Sequence, residues 1–168
     1  MECVNPIWVT GKIGAGDWYI QFTGHYAELM AGTRKREQIT LFINSRGGDI
    51  ETALGVYDLL RCCGRRVVGI VAGTAQSGAS LILQAAQERV MTLNSTLMLH
   101  KTHVQTEGTI ENAQEGLNSF RRSEEKFYEI YAERSGLDIH KIAAMAEKAK
   151  HFTAEEALKA GLIDTLLR

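Results

Sequence analysis

Short runs of β-branched and apolar residues alternate along this chain with longer segments of helical periodicity, and sixteen glycines against a single proline mark the joints between them. That alternation is the pattern of parallel strands joined by crossover helices, so the expected class is α/β with a mostly parallel sheet. Strands are expected at residues 7–9 and 39–44, with a helix over 19–30 between them. Residues 45–48 read as a turn, Asp49 as the cap of a helix carrying Ile50, Ala53, Leu54, Tyr57 and Leu60, and Gly64 as its stop. Residues 67–72 are apolar enough for a strand buried on both faces. The small-residue segment GTAQSGAS follows, then a buried helix over 81–86 and a strand over 96–99. Ser77 and His100 thus both fall at C-terminal ends of strands, the edge where open parallel sheets bind ligands.

Beyond His100, residues 109–134 hold one long helical pattern, with Ile110, Ala113, Leu117, Phe120, Phe127, Ile130 and Tyr131 mainly on one stripe. It is too long for a simple crossover, and a protruding, handle-like helical region over about 101–135 is expected. Thr153 and Glu156 have capping-box spacing, Gly161 can end the short helix that follows, and residues 162–166 can form a last strand.

A chain of 168 residues suits one domain over 1–168, and 45% hydrophobic with 23% charged residues is the make-up of a packed globular protein. The formal net charge of −1 favours neither nucleic acid nor an anionic membrane as partner, and Arg34, Lys35 and Arg36 read as a solvated turn. No apolar run reaches the ~18 residues needed to cross a bilayer, and the N-terminus lacks a secretory pattern, so the cytoplasm is the expected compartment. Three cysteines, two of them the adjacent Cys62 and Cys63, make neither a disulfide framework nor a zinc site, and reduced thiols are expected. Nothing in the sequence calls for a metal or a dedicated cofactor.

The chemistry concentrates in two stretches. A serine becomes a nucleophile when its hydroxyl sits at a sharp turn into a helix, beside a base and facing backbone N–H donors that can hold an oxyanion. Ser77 has that setting: Gly73, Ala75, Gly78 and Ala79 allow close approach, and the Gly78 amide would open a helix. The Gly47–Gly48 pair can supply a second donor. A small-residue turn with a serine is, taken alone, more often tight packing than an active site.

INSRGGD, followed at this distance by GTAQSGAS and then LMLH, resembles the Clp protease proteolytic subunit family in three ordered motifs, and HFTAEEALKAGLID is similar to the family's C-terminal signature. The resemblance runs from about Ile7 onward. It implies the ClpP/crotonase-like fold of repeated β-β-α units and a serine endopeptidase acting on unfolded proteins or peptides inside a homo-oligomeric ring, two stacked heptamers in the family. By the same resemblance Ser77 attacks the peptide carbonyl, His100 moves the proton, and the amides of Gly47 and Gly78 bind the oxyanion. His103 is expected to be a bystander.

Four departures from the family pattern accompany it. Arg46 stands where the family has a proline, which alters the stiffness of the turn but leaves the glycine amides. The segment after His100 lacks the family's proline and glycine-rich stretch, so the substrate-binding strand and the start of the long helix are expected to differ. The first strand begins almost at Met1, which weighs against an unfoldase ATPase as partner. Most seriously, Ala149 occupies the position of the aspartate that orients the histidine, and a methyl group cannot accept the imidazole N–H. Glu147 and Asp138 are near in sequence without any spacing that brings them to His100, and Lys148 and Lys150 read as exposed helix lysines more than as a serine–lysine arrangement. Two further functions therefore stand beside the peptidase: a non-catalytic structural subunit of such a ring, favoured by Ala149, and a crotonase-type enzyme acting on acyl-CoA, opposed by Ser77 and His100.

Overall fold

The structure is a computed structural model and describes residues 6–32, 38–104 and 108–168. The basic cluster at Arg34, Lys35 and Arg36 and part of the segment after His100 lie outside the described residues. In chain order the elements are β1 (Pro6–Ile13), α1 (Asp17–Gly32), β2 (Ile39–Gly48), α2 (Ile50–Cys62), β3 (Val67–Gln76), α3 (Gly78–Leu83) and β4 (Glu88–Thr92). They continue with β5 (Thr96–Met98), α4 (Ile110–Ser135), α5 (Ile139–Glu147), β6 (His151–Thr153), α6 (Ala154–Lys159) and β7 (Thr165–Leu167).

Five strands lie side by side in the order β1-β2-β3-β4-β7, every pair parallel. β3 is long enough to serve two neighbours. Its first half pairs with β4 from Val68 to Val71, and its second half pairs in parallel with β5 from Thr74 to Gln76. β6 then adds to β5 antiparallel, the one departure from parallel pairing among the described residues. This is an α/β fold of repeated β-β-α units with a mostly parallel sheet, the ClpP/crotonase-like architecture.

The core explains why the strands read as continuous apolar runs. Leu41, Ile43, Val67 and Val71 are buried with Ala53, Val56 and Leu60 of α2 and with Leu81, Ile82 and Leu83 of α3. The alternate residues Val68, Ile70 and Val90 form a second, smaller cluster against Phe42, which stacks on Trp8 at 4.6 Å between ring centroids. A strand covered on both faces has no polar alternation to show.

Caps set the helix ends. Asp49 accepts from the Thr52 amide at 2.7 Å and opens α2, and Gly64, with φ +69°, follows its C-cap. Thr153 and Glu156 form the expected capping box, and Gly161, with φ +69°, turns the chain out of α6.

Several local expectations are corrected. Residues 45–48 are the end of β2 and not a free turn, because Gly47 and Gly48 pair with Lys12 and Ile13 across an irregularity in the β1–β2 register. β3 runs through the first half of the small-residue segment to Gln76. β4, β6 and α5 have no counterpart in the sequence reading; β6 has only three residues, too few for a period to show. The α4 stripe divides into two: Phe127, Tyr128 and Tyr131 enter the core, whereas Ile110 is 84% and Leu117 37% exposed. No helix among the described residues is long and apolar enough to cross a membrane.

Candidate active site

Sheet register assembles the site. Gln76 lies opposite Met98, so one residue past the end of β3 comes Ser77 and two past the end of β5 comes His100. Ser45 lies opposite Ala75 on the other flank, which brings Gly47 beside Ser77. Three strand ends meet, and Ser77, His100, Gly47 and Gly78 line one cleft of about 1180 Å³, walled on its far side by Phe120 and Phe127 of α4.

Ser77 occupies a backbone conformation that side-chain-bearing residues rarely adopt, with φ +51° and ψ −124°, at the junction of β3 and α3. A strained strand-to-helix turn lifts a hydroxyl out of the sheet and aims it at the cleft. The turn is held by the Ser77 amide donating to the Met98 carbonyl at 2.9 Å. Gly78 begins α3, so its amide has no intrahelical acceptor.

Gly47 must be glycine. Its φ is +86°, and a Cβ there would meet the Gln76 carbonyl oxygen at 2.4 Å and the Ser77 Cβ at 2.9 Å. Gly48 packs the opposite way, toward the Ile13 backbone, so Gly47 is the member of the pair that faces Ser77. In this structure the Gly47 amide donates to Ser45 Oγ at 3.0 Å, and Ser45 Oγ donates to the Gly11 carbonyl at 2.5 Å. Ser45 was not among the expected site residues, although the motif that pointed to Gly47 contains it.

No hydrogen bond joins Ser77 Oγ to His100, although both line the cleft. More telling is the other side of the ring: His100 Nδ1 is buried and has no hydrogen-bond partner. Thr96, Leu97 and Met98 of β5 lie opposite Thr153, Phe152 and His151 of β6, and the Leu99 amide donates to the Lys150 carbonyl at 3.1 Å. Ala149, next to Lys150, lies outside the strand at φ +47°. The Lys101 amide donates to the Ala146 carbonyl at 3.1 Å.

The nearby acids are engaged elsewhere. Glu147 forms an ion pair with Lys101, Asp138 caps the far end of α5 by accepting from the His140 amide at 2.9 Å, and Glu124 accepts from the Thr102 amide at 2.9 Å. Lys148 ends α5, and Lys150 lies outside any helix with its Nζ 4.8 Å from the centre of the Phe152 ring, so neither lines the cleft. His103, expected to be a bystander, lines the same cleft, its ring centroid 5.2 Å from that of His100. Ser80, one helical turn beyond Ser77, is fully buried and turned away from the cleft.

The Clp protease family model matches residues 25–168. The chain belongs to the Clp protease family. It is similar to the ATP-dependent Clp protease proteolytic subunit 1 of Leifsonia xyli, 29% identical over 138 residues that cover 81% of this chain and 70% of the relative. It is 28% identical over 141 residues to the proteolytic subunit 3 of Rhodococcus jostii, covering 83% of this chain and 70% of that one. A Bacteroides fragilis proteolytic subunit is 29% identical over 133 residues, covering 78% and 64%. This family member carries alanine at position 149.

Proposed function

We propose that this chain is a serine endopeptidase subunit that cleaves unfolded proteins or short peptides inside a homo-oligomeric ring, with a triad weakened at Ala149. The observation that carries the proposal is the strained Ser77 turn, pressed against Gly47 and opening into the same cleft as His100. In this mechanism Ser77 Oγ attacks the peptide carbonyl carbon while His100 takes the hydroxyl proton. Nδ1 is enclosed, so Nε2 is the nitrogen that serves the cleft. The Gly78 amide, and the Gly47 amide on leaving Ser45 Oγ, donate to the oxyanion. His100 then returns the proton to the leaving amine, and water releases the acyl group by the reverse path.

Without an acceptor at Nδ1, nothing fixes the imidazole tautomer or stabilises imidazolium, and turnover is low. The same orphaned nitrogen favours the second reading, a structural ring subunit without activity. An acyl-CoA enzyme remains the third, and a CoA-thioester binding assay tests it directly.

Labelling with a fluorophosphonate, followed by mass spectrometry, separates the first two. The adduct is expected on Ser77 alone and is expected to vanish in Ser77→Ala, together with hydrolysis of a coumarin peptide. An adduct on Ser80, or equal labelling of Ser77→Ala, would remove Ser77 from the mechanism. No unfoldase is needed for such small substrates.

Assembly has its own test. The exposed Ile110 and Leu117 half of α4 offers apolar surface to another subunit, and family resemblance suggests two stacked heptamers. Sedimentation is expected to show a species many times the 18.6 kDa chain; a monomer alone at micromolar concentration would end the chamber proposal.

A further inference from the structure

A chain of hydrogen bonds runs from α4 to the backbone of Ser77. The Tyr131 hydroxyl donates to Ser80 Oγ at 2.7 Å, in a site where both residues are fully buried. Ser80 Oγ in turn donates to the Ser77 carbonyl at 2.7 Å, with the Met98 carbonyl at 3.1 Å as a second acceptor. Those two carbonyls are the ones that define the site. The Met98 carbonyl also receives the Ser77 amide at 2.9 Å, and the Ser77 carbonyl receives the Leu81 amide at 3.1 Å as the first bond of α3. Met98 ends the strand that leads to His100.

A residue held at φ +51° relaxes unless its surroundings over-determine it. Here the Ser80 hydroxyl grips the peptide leaving Ser77 and the strand end leading to His100 at once. The Tyr131 hydroxyl fixes the direction in which the Ser80 proton points, since an oxygen accepting from Tyr131 directs its own hydrogen at the carbonyls. Burial raises the Tyr131 pKa, so its hydroxyl stays a donor at neutral pH.

We propose that Tyr131 and Ser80 are positioning residues that tie α4 to the reactive geometry of Ser77 and His100. The proposal rests on Ser77 being the nucleophile. It makes α4, whose Phe120 and Phe127 wall the cleft, a determinant of reactivity as well as of shape.

The test compares Tyr131→Phe, Ser80→Ala and the double variant with the parent. Ser80→Ala alone leaves the Tyr131 hydroxyl buried without its partner and lowers thermal stability; removing both polar groups together largely restores it. A purely structural pair would regain its labelling rate along with its stability. The positioning role predicts that the double variant stays folded yet labels at Ser77 at least about tenfold more slowly, towards the ~10²-fold that a misplacement of about 1 Å costs. Hydrogen exchange gives a readout independent of activity: the Ser77 and Leu81 amides are expected to exchange faster in the double variant, with β2 amides unchanged. Restored stability with parental labelling overturns the proposal. If no protein labels at Ser77, the peptidase reading fails on its own, and unchanged protection at Ser77 and Leu81 would then sink the positioning role separately. Should the double variant not fold, Tyr131→Phe, which removes a single oxygen, decides: parental labelling and protection in it overturn the proposal.

Discussion

Ala149→Asp is expected to raise kcat/KM on an unstructured peptide by a large factor, with a ceiling near the ~10⁴, or about 5 kcal/mol, lost when a triad carboxylate is neutralised. The backbone is already suited to the change. Ala149 has φ +47°, a left-handed conformation that aspartate and asparagine tolerate better than other residues with a side chain. The position directly adjoins Lys150, whose carbonyl holds the Leu99 amide beside His100, and His100 Nδ1 is buried without an acceptor. A new carboxylate there gains a donor and loses little solvation that the pair does not return. Partial recovery is the realistic outcome, because Leu99 and Lys101 are pinned to Lys150 and Ala146 in a frame that has settled around a methyl group. The measurement compares the parent, Ala149→Asp, Glu147→Ala and Ser77→Ala, the last defining background. Glu147 holds Lys101, so Glu147→Ala is expected to stay at the parental rate. If Ala149→Asp remains at background while folded and assembled, the structural-subunit reading replaces the peptidase.

Asp164→Ala is expected to cost about 3 kcal/mol of stability, because it strands a buried guanidinium. Arg89 is buried, donates to Asp164 Oδ2 through Nε at 2.9 Å and to Oδ1 through Nη2 at 2.5 Å, and reaches Gln84 Oε1 at 2.7 Å and the Arg134 carbonyl at 3.2 Å. Breaking a buried pair from one side typically costs ~3–5 kcal/mol. The low end applies here because the Asp164 side chain is 38% exposed and water screens part of the interaction. For a chain of this size that corresponds to a fall in Tm of roughly 6–12 °C at fixed protein concentration. Burial alone would raise the Asp164 pKa, but the bonds from the Arg89 side chain and amide outweigh it and hold the carboxyl below its ordinary value. A carboxyl depressed by folding adds stability above its unfolded pKa of ~4 and loses it as pH falls through the lower folded value. The Tm difference between parent and Asp164→Ala is therefore expected to close in that acidic window. A difference under about 2 °C at pH 7 would show that the pair is not a stabilising contact.

Much of this fold was legible before any coordinates. The uninterrupted apolar run at residues 67–72 has strand length and suits a strand covered on both sides, and side-chain caps at Asp49 and Thr153 appear where the chain spells them. The motif glycines were legible for the same reason: Gly47 sits at a positive φ where a Cβ would strike backbone, a constraint local enough to leave a mark in sequence. β4, β6 and α5 escaped. β6 is three residues long, and it is a strand only because β5 lies beside it.

The sequence by itself determined the α/β class, the two strand ends carrying Ser77 and His100, and the absence of a carboxylate at position 149, because these depend on periodicity, backbone permission and the identity of one side chain. Only the tertiary structure decided that β3 serves two partners in succession and so brings those strand ends together, and that His100 Nδ1 is buried without a partner. It alone showed that Glu147 is held by Lys101 and that Tyr131 reaches Ser80 across 51 residues of chain. These are pairings between distant segments, and the direction a buried hydroxyl or carboxylate takes is set by the partner it meets, which no local pattern records.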